Sequence, residues 1–398
     1  MDQLLQKIKA KASEIYDEII GVRRHLHQHP ELSFKEYQTS KYVCSKLDEY
    51  NIPYKAGIVE TGIVALIKGK NPTKKTIALR ADLDALPIVE ENDVAYKSQN
   101  KGVMHACGHD VHTSSLLGCA KILNELKDEF EGTIKLIFQP GEEVLPGGAS
   151  LMIAEGVLEN PKPANIIGQH VYPQLEAGKV GFRSGMYMAS ADEIYVTVNG
   201  KGGHAALPHL NVDPILISSH IIVALQQLIS RVLPPTIPAV LSFGKIEGKG
   251  ATNVIPDQVK IEGTFRAMNE EWRSIAHTKM KKMAESIAES MGGSCDFRIE
   301  VGYPYLENDE ETTRLAKQSA VEYLGEENVI DLDLRMTAED FAYFSQITPA
   351  CFYRLGTNNK SENYTGLHTS TFNVDEKALE TSTGLMAWIA LKQLRAIS

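Results

Sequence analysis

Apolar residues recur at helical spacing from the start of the chain. Over residues 2–28, Leu4, Leu5, Ile8, Ile15, Ile19 and Ile20 predict one long helix that Pro30 brings to an end. A second helix is predicted over 36–50. Two almost wholly apolar runs follow, Thr61–Lys68 and Thr76–Ala81, and read as central strands of a covered sheet. A helix over 112–129 turns Leu116, Leu117, Ala120, Ile122, Leu123 and Leu126 inward, and Thr133–Phe138 and Asn165–Gly168 read as further apolar strands. From about residue 186 the pattern changes. Ile194–Asn199 alternates as a half-covered strand, Pro214–Arg231 is a long apolar helix, strands follow at 239–247 and 258–267, and a helix over 270–291 leads to a strand at Asp296–Val301. The order β-α-β-β-α-β is the ferredoxin-like signature. Helices near 310–324 and 375–395 then restore the α/β character. The expected architecture is a discontinuous α/β domain, residues 1–185 and 302–398, with a ferredoxin-like α+β domain inserted at 186–301.

Length supports the division, since 398 residues exceed what one hydrophobic core usually organises. A net charge of −10 argues against a nucleic-acid partner, which would call for a basic stripe. It leaves room for a local cationic site that takes an acidic small molecule. Five cysteines (44, 107, 119, 295 and 351) form an odd, scattered set, which suits reduced thiols of the cytoplasm. The N-terminus is charged and lacks an apolar signal core, and no stretch is expected to approach a membrane span of ~20 apolar residues. A cytoplasmic protein without a membrane partner is the expectation.

The candidate chemistry lies where apolar strands end. Met104–His112 holds Cys107 and His109 on either side of a glycine, and a thiolate and an imidazole both suit a divalent transition metal. The strand at 76–81 runs into Arg80-Ala81-Asp82-Leu83-Asp84, the next into Gly141-Glu142-Glu143, and the fourth into Gln169-His170. His368 stands in a glycine-containing loop. Cys107, His109, Glu143, His170 and His368 make five ligands, enough for two metal ions if one bridges, and a thiolate can, so Cys107 is the candidate shared ligand. Paired metals about 3.5–4 Å apart activate water and clamp a tetrahedral intermediate. Glu142 is then the carboxylate that takes the proton, and adjacency to Glu143 predicts that the two side chains point apart. His25, His27 and His29, at alternate helical positions, point in different directions and are expected at the polar surface.

Together these residues resemble the di-metal amidohydrolases of the aminoacylase/carboxypeptidase superfamily. The branch is that of hippurate hydrolase, N-acyl-amino-acid amidohydrolases and the plant hydrolases of indole-acetyl-amino acid conjugates. The likeness covers Arg24–Ser33, Ala78–Pro87, Met104–His109, Phe138–Glu143, Gly200–Ala205, Asn253–Pro256, Glu339-Asp340-Phe341 and Leu367-His368. It implies a di-metal peptidase-like catalytic domain whose inserted domain is a lid and a homodimer interface. It also implies two divalent metal ions (zinc, manganese, cobalt or nickel) held by the five ligands, and Glu142 as general base. Asp82 and Asp84 match strand-end acids outside the ligand set, with Asp84 orienting a ligand histidine. His204 matches a lid histidine that stabilises the oxyanion, and Asn253 and Arg266 match positions that hold the substrate's carbonyl or carboxylate. Met336-Thr337-Ala338 departs from the usual Gly-Ser before Glu339, which leaves that residue's role open. The implied reaction is hydrolysis of the amide bond of N-acyl-amino acids. A carboxypeptidase or dipeptidase using the same apparatus is the alternative, and a non-catalytic binding protein the third reading. His105, His112, His209, His220 and His277 match no ligand position, and His220 is expected to be packed in its apolar helix.

Overall fold

The structure, a computed structural model, describes residues 3–359 and 365–396. Two compact units emerge. One comprises Met1–Gly185, Glu307–Asp333 and Asp340–Ser398, the other Met186–Leu306 and Leu334–Glu339.

The first unit is built on an eight-stranded mixed sheet. In spatial order its strands are Tyr54–Ile58, Gly62–Lys68, Thr133–Gln139, Thr76–Asp82, Ile166–Glu176, Ala350–Asn358, Val180–Phe182 and Val329–Asp331. The central ones run parallel: Thr76–Asp82 pairs in this sense with Thr133–Gln139 and with Ile166–Glu176, which in turn pairs with Ala350–Asn358. Every residue of Thr76–Asp82 and Thr133–Gln139 is buried, as strands covered on both faces require. Helices Gln3–Glu14, Tyr16–Gln28, His109–Glu125 and Ala378–Arg395 pack against one another, and the last two also touch Thr76–Asp82. The parallel strands thereby deliver the motif residues of the sequence to their carboxyl ends, where α/β sheets hold their ligands.

The predicted 2–28 helix is two helices, because Ile15 leaves helical geometry at φ −91°, ψ 3°. Strand Tyr54–Ile58 escapes sequence reasoning because its middle residues are exposed and carry no alternating pattern. His27 is not at the surface: it lies one turn after Arg23 on the inward face and is 1% exposed. Its Nδ1 is 2.8 Å from Asp110 Oδ2, which also accepts from Arg23 Nε (2.8 Å). His25 is stacked on Tyr42, ring centroids 3.9 Å apart.

The second unit carries a four-stranded antiparallel sheet ordered Ala239–Gly248, Gln258–Ala267, Asp192–Asn199, Ser294–Val301. With helices Pro214–Gln227 and Glu270–Ser290 this is the β-α-β-β-α-β arrangement. Ile194, Val196 and Val198 meet Ile217, Ile221, Leu225 and Met280 in its core. Segment Leu334–Glu339 joins this unit because Arg335 pairs with Tyr187 and Ala189 through the backbone. Contrary to the hydropathy expectation, Pro214–Val232 (19 residues, mean hydropathy 1.5) is long and apolar enough to cross a membrane by length and composition. Arg231 is its one charged residue, and its inward side covers the sheet. His220, expected inside, is exposed on the outward side of this helix.

Asp192 organises the polar end of this unit. It accepts two bonds from Arg273 (2.5 and 2.9 Å) and lies 2.7 Å from His277 Nε2. Burial alone would raise its pKa, but His277 and Arg273 hold it below the usual carboxylate value. The ionised carboxylate therefore stabilises the fold above the unfolded pKa of about 4, and this contribution fades as pH falls through the lower folded value. Asp192→Asn should cost about 3 kcal/mol at pH 7 in urea denaturation, less in acid, because it removes the buried carboxylate facing Arg273 and leaves that guanidinium only its ion pair to the more exposed Glu270.

Candidate metal centre

Cys107, Gly108 and His109 form the turn into helix His109–Glu125. Gly108 has φ +80°, and a Cβ there would lie 2.6 Å from Val171 Cγ2, so both backbone conformation and space demand glycine. Cys107 Sγ comes to 3.5 Å from His170 Nε2. Cys107, His109 and His170 form one group of ligand atoms lying within 4.8 Å of one another; Cys107, Glu143 and His368 form a second. His368 Nε2 is 3.3 Å from Glu143 Oε1, and its backbone N–H donates to Ala106 O at 2.8 Å. Residues from 107 to 368 of the first unit thus converge. His170 lies within its strand rather than after it, because Ile166–Glu176 continues well past the predicted end.

The hydrogen bonds set which atoms are free. His109 Nδ1–H donates to Asp84 O (2.9 Å), with Asp84 Oδ1 at 3.2 Å. Asp84 is held in turn by Ser33 Oγ (2.6 Å) and the Glu143 amide (3.0 Å). His170 Nδ1–H donates to Val171 O (2.8 Å). The Nε2 atoms of both rings are left to face the cluster. Glu142 and Glu143 do not diverge as adjacency suggested, because they stand on a turn and not on an extended strand. Their carboxylates and His109 form a third close group, with Glu142 Oε2 4.0 Å and Glu143 Oε1 3.9 Å from His109 Nε2.

A cation fits this donor set. His109 Nε2 and Glu143 Oε1 are buried and have no hydrogen-bond partner among the described residues. Burial opposes a charge on His109, yet Asp82 and Asp84 push its pKa up to about 10. Burial, reinforced by Glu143 and Glu142, pushes the Cys107 thiol well up. A surplus of buried carboxylates and a thiol that ionises only beside positive charge are the electrostatics of a site that gains stability by binding metal.

Residues without an assigned role in the sequence support the centre. His112 Nδ1 is 2.6 Å from Asp82 Oδ1, and its Nε2 accepts the Val171 amide (2.9 Å). Its only sequence signal is position, one turn after His109 on the same helix face. Arg80 bonds Gln139 (2.8 Å), Asp82 (2.5 Å) and Asp340 (2.7 Å), and Asp340 also receives Gln139 Nε2 and the Ala149 amide.

His204, Asn253 and Arg266 belong to the second unit. His204 pairs with Val254 in a two-residue ladder, next to Asn253, and both are exposed. Arg266 is half-buried, its Nε donates to Thr264 Oγ1 (3.2 Å), and among the described residues it makes no ion pair. Burial lowers its pKa.

Residues 78–392 match peptidase family M20/M25/M40. The chain is 40% identical over 367 residues to the N-acetyl-L-cysteine deacetylase of Bacillus subtilis, covering 92% of this chain and 86% of that protein. It is 39% identical over 395 residues to thermostable carboxypeptidase 2 of Saccharolobus solfataricus, covering 98% of each. Its fold matches the crystal structure of Bacillus subtilis YXEP, a dinuclear metal binding peptidase of the M20 family, with a TM-score of 0.83 and 35% identity over 97% of this chain and 100% of that one. The chain belongs to the M20/M25/M40 peptidase family. Its cofactors are two divalent metal ions, and it is a metal-dependent hydrolase of amide bonds.

Proposed function

We propose that the protein removes the acyl group from N-acyl-amino acids, small molecules whose free carboxylate marks one end. The carrying observation is the convergence of Cys107, His109, Glu143, His170 and His368 with a sixth group, Glu142, beside them. In this reading the five hold the metals, which when bound act as Lewis acids on the scissile carbonyl and lower the pKa of water. Glu142 takes the proton of the attacking water and passes it to the leaving amine. Asp84 fixes the His109 tautomer. Arg266, which makes no ion pair among the described residues, is of the kind that holds a carboxylate, and His204 and Asn253 are of the kind that hold a carbonyl. The likeness to a deacetylase supports acyl-amino acids as substrates, and the nearly equal likeness to a carboxypeptidase supports peptides as the second reading. The test is a side-by-side assay of N-acetyl-amino acids and dipeptides after chelation and reloading with zinc, manganese, cobalt or nickel. Acyl-amino acids should be turned over at least about tenfold faster in kcat/KM, a difference of about 1.4 kcal/mol. Preference for dipeptides would transfer the assignment to the peptidase reading.

A homodimer through the second unit completes the proposal. Ile215, Leu216 and Val223 stand 42%, 51% and 73% exposed on the outer face of Pro214–Gln227, and the edge strand Ala239–Gly248 carries Val240 and Ile246, both exposed. An apolar helix face flanking an open strand edge suits two-fold pairing. Light scattering should give a dimer for the wild type and a monomer for Leu216→Glu/Val223→Glu; a monomeric wild type rejects it. The five cysteines are all free, which supports a cytoplasmic setting.

A further inference from the structure

We propose that His112 is a positioning residue that replaces a missing rung of the central sheet and so sets the backbone carrying His170. The inference rests on the reading of His170 as a metal ligand. Strands Thr76–Asp82 and Ile166–Glu176 pair only over Ala78–Arg80 with Ile166–Gly168. Past that point the Val171 N–H, on a residue with no exposed surface, has no strand to donate to on this side. It donates instead to His112 Nε2 (2.9 Å), while His112 Nδ1–H donates to Asp82 Oδ1 (2.6 Å), at the end of the neighbouring strand. An Nε2 that accepts an amide proton leaves the ring proton on Nδ1, so both nitrogens are committed and one tautomer is selected. The imidazole spans the strand ends where the ladder stops.

The bonded amide belongs to the peptide plane between His170 and Val171. Because that plane is rigid, fixing its N–H fixes the backbone torsion that aims the His170 side chain. The carbonyl of Val171 is taken by His170 Nδ1 (2.8 Å), so both polar backbone groups of Val171 serve His170's placement. His112 is itself held by helix His109–Glu125, with its ring 4.7 Å from that of His170 and 5.4 Å from that of His109. The requirement for glycine at 108 has the same origin, since the helix start must approach Val171.

His112→Gln keeps a donor for Asp82 and an acceptor for Val171; His112→Leu keeps neither. In metal-free protein, the Val171 amide should exchange with deuterium at least about tenfold faster in the Leu variant than in wild type. Affinity for the probe metal Zn2+, measured by chelator competition, should fall about 10- to 100-fold. The Gln variant should recover most of both. If His112→Leu does not fold, His112→Asn, too short to span the gap, replaces it in the comparison with Gln. Wild-type protection of Val171 without His112's bonds overturns the rung, and lost protection with unchanged Zn2+ affinity overturns the positioning role. Failure of the ligand reading is a separate result: His170→Ala would then leave Zn2+ affinity intact.

Discussion

Glu142→Ala should retain both metal ions and the wild-type melting temperature yet lose about 100- to 10,000-fold in kcat. The expectation follows from where the carboxylate stands. Glu142 is buried, with Oε2 4.0 Å from His109 Nε2 and Oε1 3.4 Å from the Asp340 amide, which holds it at the edge of the ligand cluster. Ligand atoms remain in its absence, because Cys107, His109 and His170 form a complete group without it, as do Cys107, Glu143 and His368. The loss should therefore fall on kcat with KM little changed, the pattern of an interaction made only in the transition state. Metal content by elemental analysis and kcat by amine release decide it. Near-normal turnover would refute the proton-transfer role. Loss of metal along with activity would show Glu142 to be a ligand, which its proximity to His109 makes a sharp alternative.

Most of this architecture was legible because its periodicities are strong. The central strands are largely apolar, and the inserted unit alternates cleanly enough that β-α-β-β-α-β could be read directly. Strand Tyr54–Ile58, with its exposed middle, broke no pattern and left no mark. The candidate ligands were readable at strand ends and at Cys-Gly-His because few roles suit such residues. Their partners were less so. Arg80 looks like a solvated residue before a turn, and His27 like one of three surface histidines; each is buried because residues distant in sequence neutralise it. Asp340 reaches Arg80 across 260 positions, and Asp110 meets His27 across 83. A single chain does not announce such pairings. Pro214–Val232 was misread in the opposite direction: its exposed apolar residues give it the length and composition of a membrane span where none was expected.

Arg80→Met should destabilise the first unit by about 3–5 kcal/mol, the cost of leaving buried carboxylates without their cation. The guanidinium is 1% exposed and bonds three different side chains, Gln139, Asp82 and Asp340, the last two 0% exposed. Methionine fills much of the volume, so the loss reports charge and hydrogen bonding and not a cavity. Arg80→Lys should recover little, because an ammonium cannot reproduce the planar fork that reaches three partners. The pH dependence has a definite sign. Burial would raise the Asp82 pKa, but His109, His112 and Arg80 lower it well below the ordinary value. The folded wild type therefore binds fewer protons here than the unfolded chain, and the stability this confers is present above about pH 4 and lost as pH falls toward the folded pKa. Removing Arg80 weakens that depression, so the gap between variant and wild type should be widest at neutral pH and narrow in acid. Urea midpoints at pH 7 and at about pH 3, below the unfolded pKa, test both statements; a variant within about 1 kcal/mol of wild type at pH 7 would show that Gln139, His112 and the Ala149 amide suffice to hold the carboxylates.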